Sequence, residues 1–166
     1  MAVVNTKGVS VTNLDANPPT YNTVTTVGGR VRSIADTVEV AAADDDTSVY
    51  RIARIHSSWR IQSIKILNDA ITSGTSYDLG LYQTAANGGA LVDVDAYGSA
   101  IDMSSARTSP VEVAFEARNI DKVRNCVWQD AGLTSDPGRF YDLCLLANTV
   151  GSAAGTISVI VEYVVD

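Results

Sequence analysis

The feature that most constrains the fold of this chain is a strand pattern that occurs twice. Tyr77–Tyr82 has the sequence Tyr-Asp-Leu-Gly-Leu-Tyr, and Tyr141–Leu146 repeats it as Tyr-Asp-Leu-Cys-Leu-Leu. Each copy leads into a loop of small residues and then into a second apolar segment, which is the pattern of a β-hairpin. The second copy is apolar on both faces, so we expect it at the centre of a sheet.

Further segments of alternating apolar and polar residues predict about eight strands in all. The composition agrees, because Val, Ile, Thr and Tyr are abundant while the helix-forming residues Lys, Glu and Gln are scarce. We therefore expect an all-β fold: an antiparallel two-sheet β-sandwich, in the form of a jelly roll. The predicted strands are residues 33–43, 49–55, 59–67, 77–82, 91–97, 111–116, 139–147 and 156–165.

Only one segment, over about residues 119–131, has helical periodicity. Apolar residues recur in it at steps of three and four, Asn119 or Asp121 is suited to the N-cap, and Gly132 is suited to the end. We expect one short helix here, which covers an open edge or end of the sandwich.

The polar segment 1–33 has no pattern that would build a core of its own. It contains Pro18-Pro19 and Gly28-Gly29, and it is either an extended N-terminal arm or a disordered tail. Its net charge is +2, so the remaining residues carry −9 of the total of −7. We expect an extended arm over 1–33, able to bind an acidic neighbouring copy, and a single β-sandwich domain over 34–166.

Residues that catalyse reactions or bind metals are sparse. His56 is the only histidine, which excludes sites built from several histidines. Cys126 and Cys144 lack CxxC spacing and lie in apolar runs, so we expect two buried free thiols. Asp44-Asp45-Asp46 lacks the alternating ligands and the glycine of a calcium loop, and a solvated turn is the simpler interpretation. We expect no enzyme and no cofactor.

The net charge of −7 also disfavours a nucleic-acid partner, because phosphate binding requires clustered Lys and Arg. No apolar run approaches the length that spans a membrane, and Met1–Asn5 lacks the features of a signal peptide. We expect a protein that is made in a cytoplasm and has no membrane partner.

Two predicted strands carry arginines among their apolar positions. Strict alternation places Arg51 and Arg54 on opposite faces of the strand 49–55. Pairing of these arginines with the many aspartates of the chain is one interpretation. An interface with an acidic partner is the other, because Arg is enriched at interfaces.

The order of these segments resembles a group of tailed-bacteriophage structural proteins, the head cement or decoration proteins of jelly-roll type. The resemblance covers about residues 34–166 and rests on strand patterns, without a reactive signature. The segments that carry it are Arg51–Ile55, Ile64–Asp69, Tyr77–Tyr82, the Gly88-Gly89 loop, Val111–Phe115, the helical segment, and Asp136-Pro137-Gly138 before Tyr141–Leu143.

The resemblance implies a virion protein without catalytic residues, made in the cytoplasm of the bacterial host. Such a protein forms homodimers or homotrimers on the outer surface of the head and bridges subunits of the major capsid protein. Contact candidates come from the arm and from the arginine-bearing strand: Pro18, Pro19, Tyr21, Arg30, Arg32, Arg51 and Arg54.

Two other functions are compatible with the same fold. A carbohydrate-binding or host-adsorption module would use exposed aromatic platforms, for which Trp59, Tyr82 and Tyr97 are the candidates. Another neck, tail or coat component of a phage would differ only in its partner.

Overall fold

The structure, a computed structural model, describes residues 4–24, 26–72 and 75–165. Within these ranges eight strands make up two four-stranded antiparallel sheets, which confirms the predicted all-β sandwich. The strands are β1 (Val31–Val40), β2 (Val49–His56), β3 (Arg60–Asn68), β4 (Ser76–Gln83), β5 (Leu91–Asp102), β6 (Arg107–Glu112), β7 (Phe140–Thr149) and β8 (Gly155–Val164).

The strand order within each sheet is that of a jelly roll. One sheet has the order β1-β8-β3-β6 and the other the order β2-β7-β4-β5. Strands that alternate along the chain between the two sheets place their apolar faces against each other. The core between the sheets includes the fully buried side chains Ile61, Ile64, Tyr77, Leu79, Leu81, Leu143, Leu145, Ile157 and Val161.

The repeated strand pattern forms the centre of the second sheet. β4 and β7 are direct antiparallel neighbours, with Leu79 opposite Leu145 and Leu81 opposite Leu143. β7 is buried on both faces over most of its length, as its two-sided apolar sequence predicts. The repeat therefore fixes the middle of a sheet, and its two aspartates lie on the other face of the strands from these leucines.

The predicted helix lies at the expected place but is divided into two short pieces. A 3-10 helix spans Ile120–Arg124, and the helix α2 spans Val127–Asp130. The other α-helix, α1, spans Val9–Leu14 in the N-terminal segment. Asn125 and Cys126 between the pieces have extended backbone conformations. The extended pair lets the backbone N–H of Val127 donate to the carbonyl of Trp59, which anchors α2 beside the start of β3.

The strand predicted at 111–116 was placed too late in the chain. β6 ends at Glu112, because the carboxylate of this residue accepts hydrogen bonds from the backbone N–H groups of Ile64 (2.9 Å) and Ala114 (2.8 Å). The N–H of Val113 still donates to the carbonyl of Ile64 (2.8 Å), and a turn follows, in which the N–H of Glu116 donates to the carbonyl of Val113 (3.2 Å). Val113 and Ala114 are still buried, which accounts for their apolar character.

A strained residue lies in the turn between β1 and β2. Thr47 has a φ of 71°, in the left-handed region that a β-branched side chain rarely adopts. Its N–H donates to the carbonyl of Ala147 at 2.7 Å, which holds the turn against β7. We expect Thr47→Gly to raise the free energy of unfolding by about 1 kcal/mol, since glycine adopts this conformation without the strain.

Urea denaturation of the Thr47→Gly variant measures this effect. Thr47→Ala is the matched control, because it keeps the Cβ atom that causes the strain, so its stability should stay closer to that of the natural chain. A lower urea midpoint for the glycine variant would contradict the prediction.

Candidate interaction surface

Arg51 and Arg54 lie on the same face of the second sheet, and the expectation of opposite faces was wrong. The register of β2 against β7 shifts between Arg51 and Ala53, so Arg51 lies opposite Cys144 and Arg54 opposite Asp142. Ile52 is the extra residue of this β-bulge. One inserted residue reverses the alternation, and both guanidinium groups therefore reach the same carboxylate.

That carboxylate belongs to Asp142, in the second copy of the repeated pattern. Arg51 Nη1 donates to Asp142 Oδ2 at 2.9 Å, and Arg54 Nε donates to Asp142 Oδ1 at 2.8 Å. Arg51 also donates to the carbonyls of Gln83 (2.9 Å) and Gly89 (3.1 Å). The two arginines thus connect β2, β7 and the loop after β4.

The three ionised side chains together leave one net positive charge at the surface. The side chain of Asp142 is only 6% exposed, whereas those of Arg51 and Arg54 are 38% and 59% exposed. Hydrogen bonding to Asp142 raises the pKa of Arg54 above its ordinary value, so this group stays protonated. The arginines line a shallow depression of about 290 Å³ that suits an acidic or carbonyl group of a partner.

The other contact candidates lie in or next to the N-terminal segment. The peptide bond between Asn17 and Pro18 is cis, Pro19 and Arg30 are exposed, and Tyr21 is 86% exposed. Arg32 lies on β1, in the other sheet from Arg51 and Arg54. The structure therefore brings Arg51 and Arg54 together on β2, whereas the remaining candidates lie on β1 or in the segment before it.

The N-terminal segment exposes its large apolar side chains to solvent. Helix α1 has no buried residue, and Lys7 before the helix forms an ion pair with Asp15 after it at 2.7 Å. Apolar surface of this kind is typical of a segment that is covered in an assembly. The side chains that are at least 50% exposed are Val4, Val9, Val11, Leu14, Tyr21, Val24 and Val27.

The three aromatic candidates for carbohydrate binding do not form exposed platforms. Tyr97 is fully buried and Tyr82 is 7% exposed. Trp59 stacks on Tyr163 at 4.1 Å between ring centroids, and Phe140 lies edge-on to it at 6.2 Å. Tyr82 and Tyr97 are therefore core residues, and Trp59 is partly exposed with one face of its indole covered by Tyr163.

Sequence reasoning missed one buried ion pair. Arg118 and Asp130 have side chains that are 1% exposed, with Arg118 Nη2 and Asp130 Oδ2 3.2 Å apart. Arg118 also donates to the carbonyls of Ile61 and Lys122, and Tyr97 donates to Asp130. Burial raises the pKa of Asp130, although Arg118 acts in the opposite direction. A charged pair between Arg118, in an irregular segment, and Asp130, at the end of α2, leaves no periodic signal in the sequence.

Both cysteines are buried and neither forms a disulfide bond within the described residues, as predicted. Burial raises the pKa of the Cys144 thiol to about 12, which makes it a poor nucleophile. His56 Nδ1 lies 3.0 Å from the hydroxyl of Ser58 and the imidazole packs on Phe140. In the described ranges there is no cluster of three or more metal-ligating side chains, and no helix is long and apolar enough to cross a membrane.

No family model matches the chain, and no curated protein matches it. Its fold is similar to that of a chain in the cyanophage Pam1 capsid asymmetric unit, with 13% identity and a TM-score of 0.54. It is also similar to a chain in the capsid of Ralstonia phage GP4, with 14% identity and a TM-score of 0.61. Each match covers 83% of this chain and 86% of the other. At these identities the likeness establishes the β-sandwich fold.

Proposed function

We propose that this chain is a non-enzymatic structural protein of a tailed-phage virion. It acts as a cement or decoration protein that binds the outer surface of the head and bridges subunits of the major capsid protein. The observation that carries the proposal is the likeness of its jelly roll to chains of two phage capsids over 83% of its length. The sandwich is made in the host cytoplasm and associates with copies of itself.

The exposed N-terminal segment supports a role in assembly. Its apolar side chains have no core to enter, and each gains free energy when a partner covers it. A head presents many equivalent sites, so a subunit with several weak contacts is held by their combined effect. Arg51 and Arg54 add a second contact, in which their exposed guanidinium groups meet acidic or carbonyl groups of the capsid.

Co-sedimentation of the purified chain with undecorated phage heads tests the proposal. We expect binding at micromolar concentrations, and we expect the triple variant Val9→Ser, Val11→Ser, Leu14→Ser to bind about tenfold more weakly or worse. These three side chains are at least 50% exposed, so the folded body should be unaffected.

Ile120→Ser is the matched control, because Ile120 is 82% exposed but lies on the body. Its binding should equal that of the natural chain. A chain that does not sediment with heads would contradict the cement role, and sedimentation with tails alone would assign it to a tail. Equal losses in the triple variant and the control would show that the N-terminal segment has no specific part.

A further inference from the structure

The free edge of β1 differs from the other three sheet edges. β6 is short and contains Pro110, which cannot donate a hydrogen bond. β2 has the bulge at Ile52, and the register of β5 shifts repeatedly against β4. These features prevent edge-to-edge pairing. β1 pairs with β8 over ten residues without a register shift, so its outer edge is long and regular.

The backbone groups that point outward from β1 can be identified. The N–H of Thr156 donates to the carboxylate of Asp69, and the carbonyl of Thr156 accepts from the N–H of Asp69. Asp69 directly follows β3, so the backbone groups of Thr156 face β3. Because bonding alternates along an antiparallel strand, the neighbouring residue Ile157 faces β1 and bonds to Val38 opposite it. The even-numbered residues of β1 therefore bond to β8, and the odd-numbered residues from Val31 to Glu39 direct their backbone groups to the free edge.

Thr37 provides independent support for this assignment. Its N–H donates to the carboxylate of its neighbour Asp36 at 2.8 Å, as expected for an outward N–H without a strand partner. Residues around it are uncovered, since Val31, Arg32, Ser33 and Ala35 are all exposed. Among the described residues, β8 is the only strand paired with β1, which lies at the end of its sheet.

We propose that the free edge of β1 is a dimer interface. There β1 pairs antiparallel with β1 of a second copy, and the two Ile34 residues lie opposite each other on a two-fold axis. The inference goes beyond the proposed function, since such a pair can form in solution without a head. In this register the outward N–H and carbonyl groups of the two strands can form hydrogen bonds, Val31 with Thr37 and Ser33 with Ala35. The first sheets of the two copies become one continuous sheet.

The charges on β1 select this register and favour a second copy as the occupant. With Ile34 on the axis, Arg32 of each copy lies opposite Asp36 of the other, on the same face of the sheet. These are pairs without backbone bonds between them, in which side chains approach most closely. Moving the axis to Ala35 would place both charges opposite apolar residues, and moving it to Asp36 would place two carboxylates opposite each other.

Sedimentation velocity of the full chain at about 1 to 100 µM tests the pairing. We expect a dimer in this range for the natural chain. Arg32→Asp alone and Asp36→Arg alone each place like charges opposite one another at two symmetric positions, and we expect either to raise the dissociation constant about thirtyfold. The double variant restores opposite charges and should return the constant to within about threefold of the natural value.

Two further variants separate the effect of backbone pairing at the β1 edge from general effects of charge on dimerisation. Ala35→Pro removes an outward N–H without breaking a bond to β8, so we expect a folded monomer, verified by its urea midpoint. Glu39→Gln changes a charge beyond the paired segment and should leave the dimer unchanged. A natural chain that stays monomeric or forms a trimer, or a double variant that does not recover, would overturn the proposal. The assay contains no heads, so it is independent of the head-binding result.

Discussion

Gly80→Ala should lower the free energy of unfolding by about 3 kcal/mol or more, a large part of the stability of a domain of this size. A Cβ atom at Gly80 would lie far inside van der Waals contact with the backbone carbonyl oxygens of Asp93 and Val94. These atoms belong to the bulged part of β5, which crosses the outer face of β4 there. Because they are backbone atoms, relief requires a shift of the whole strand.

The prediction is checked by urea or thermal denaturation beside Gly98→Ala. A Cβ atom at Gly98 meets the end of the Ile101 side chain, with Cδ1 at 2.6 Å, and this side chain can rotate away. We expect the control to cost less than about 1 kcal/mol. Equal losses in the two variants would show that β5 does not lie against Gly80 as closely as described.

Asp130→Ala should destabilise the chain by about 3 to 5 kcal/mol, because it leaves the guanidinium of Arg118 buried without its counter-charge. Most of the lost stability comes from the unpaired charge of Arg118. Its guanidinium is enclosed by Tyr97 and Phe115, with the Cζ atom 5.7 and 5.1 Å from their ring centroids. Denaturation of purified variants measures the effect.

The double variant Arg118→Met, Asp130→Ala separates the two contributions. Removing both charges should recover part of the lost stability, because neither partner is then buried alone. Stability losses that simply add would contradict the ion pair as the cause. Lys7→Met, which removes the Lys7 partner of the exposed pair with Asp15, should change the stability by less than about 1 kcal/mol.

The sheets were predictable because their signals are local. Alternation in β4 and β8 records which side chains face the core, and the two-sided apolar sequence of β7 records its central position. The faces of Arg51 and Arg54 were not predictable in this way. A single bulge at Ile52 inverts the pattern for every residue after it, and the one signal of it in the sequence is the adjacent apolar pair Ile52-Ala53, which strict alternation does not take into account.

The buried ion pair between Arg118 and Asp130 could not be predicted from the sequence either. Arg118 and Asp130 meet only because the helical segment breaks at Asn125 and Cys126, which sends α2 back toward the start of β3. Periodicity predicted a continuous helix there and therefore no such encounter. The position of the thiols could be predicted because burial of a cysteine follows from its apolar neighbours alone.

The position of β8 has a consequence for how the protein is made. β8 is the last along the chain of the strands that the structure describes, yet it lies between β1 and β3 and pairs with both. During synthesis neither strand can acquire this neighbour until Gly155–Val164 has left the ribosome. Without Gly155–Val164, β1 would have no strand neighbour and β3 would keep only β6, so the first sheet closes only after this late segment has been made.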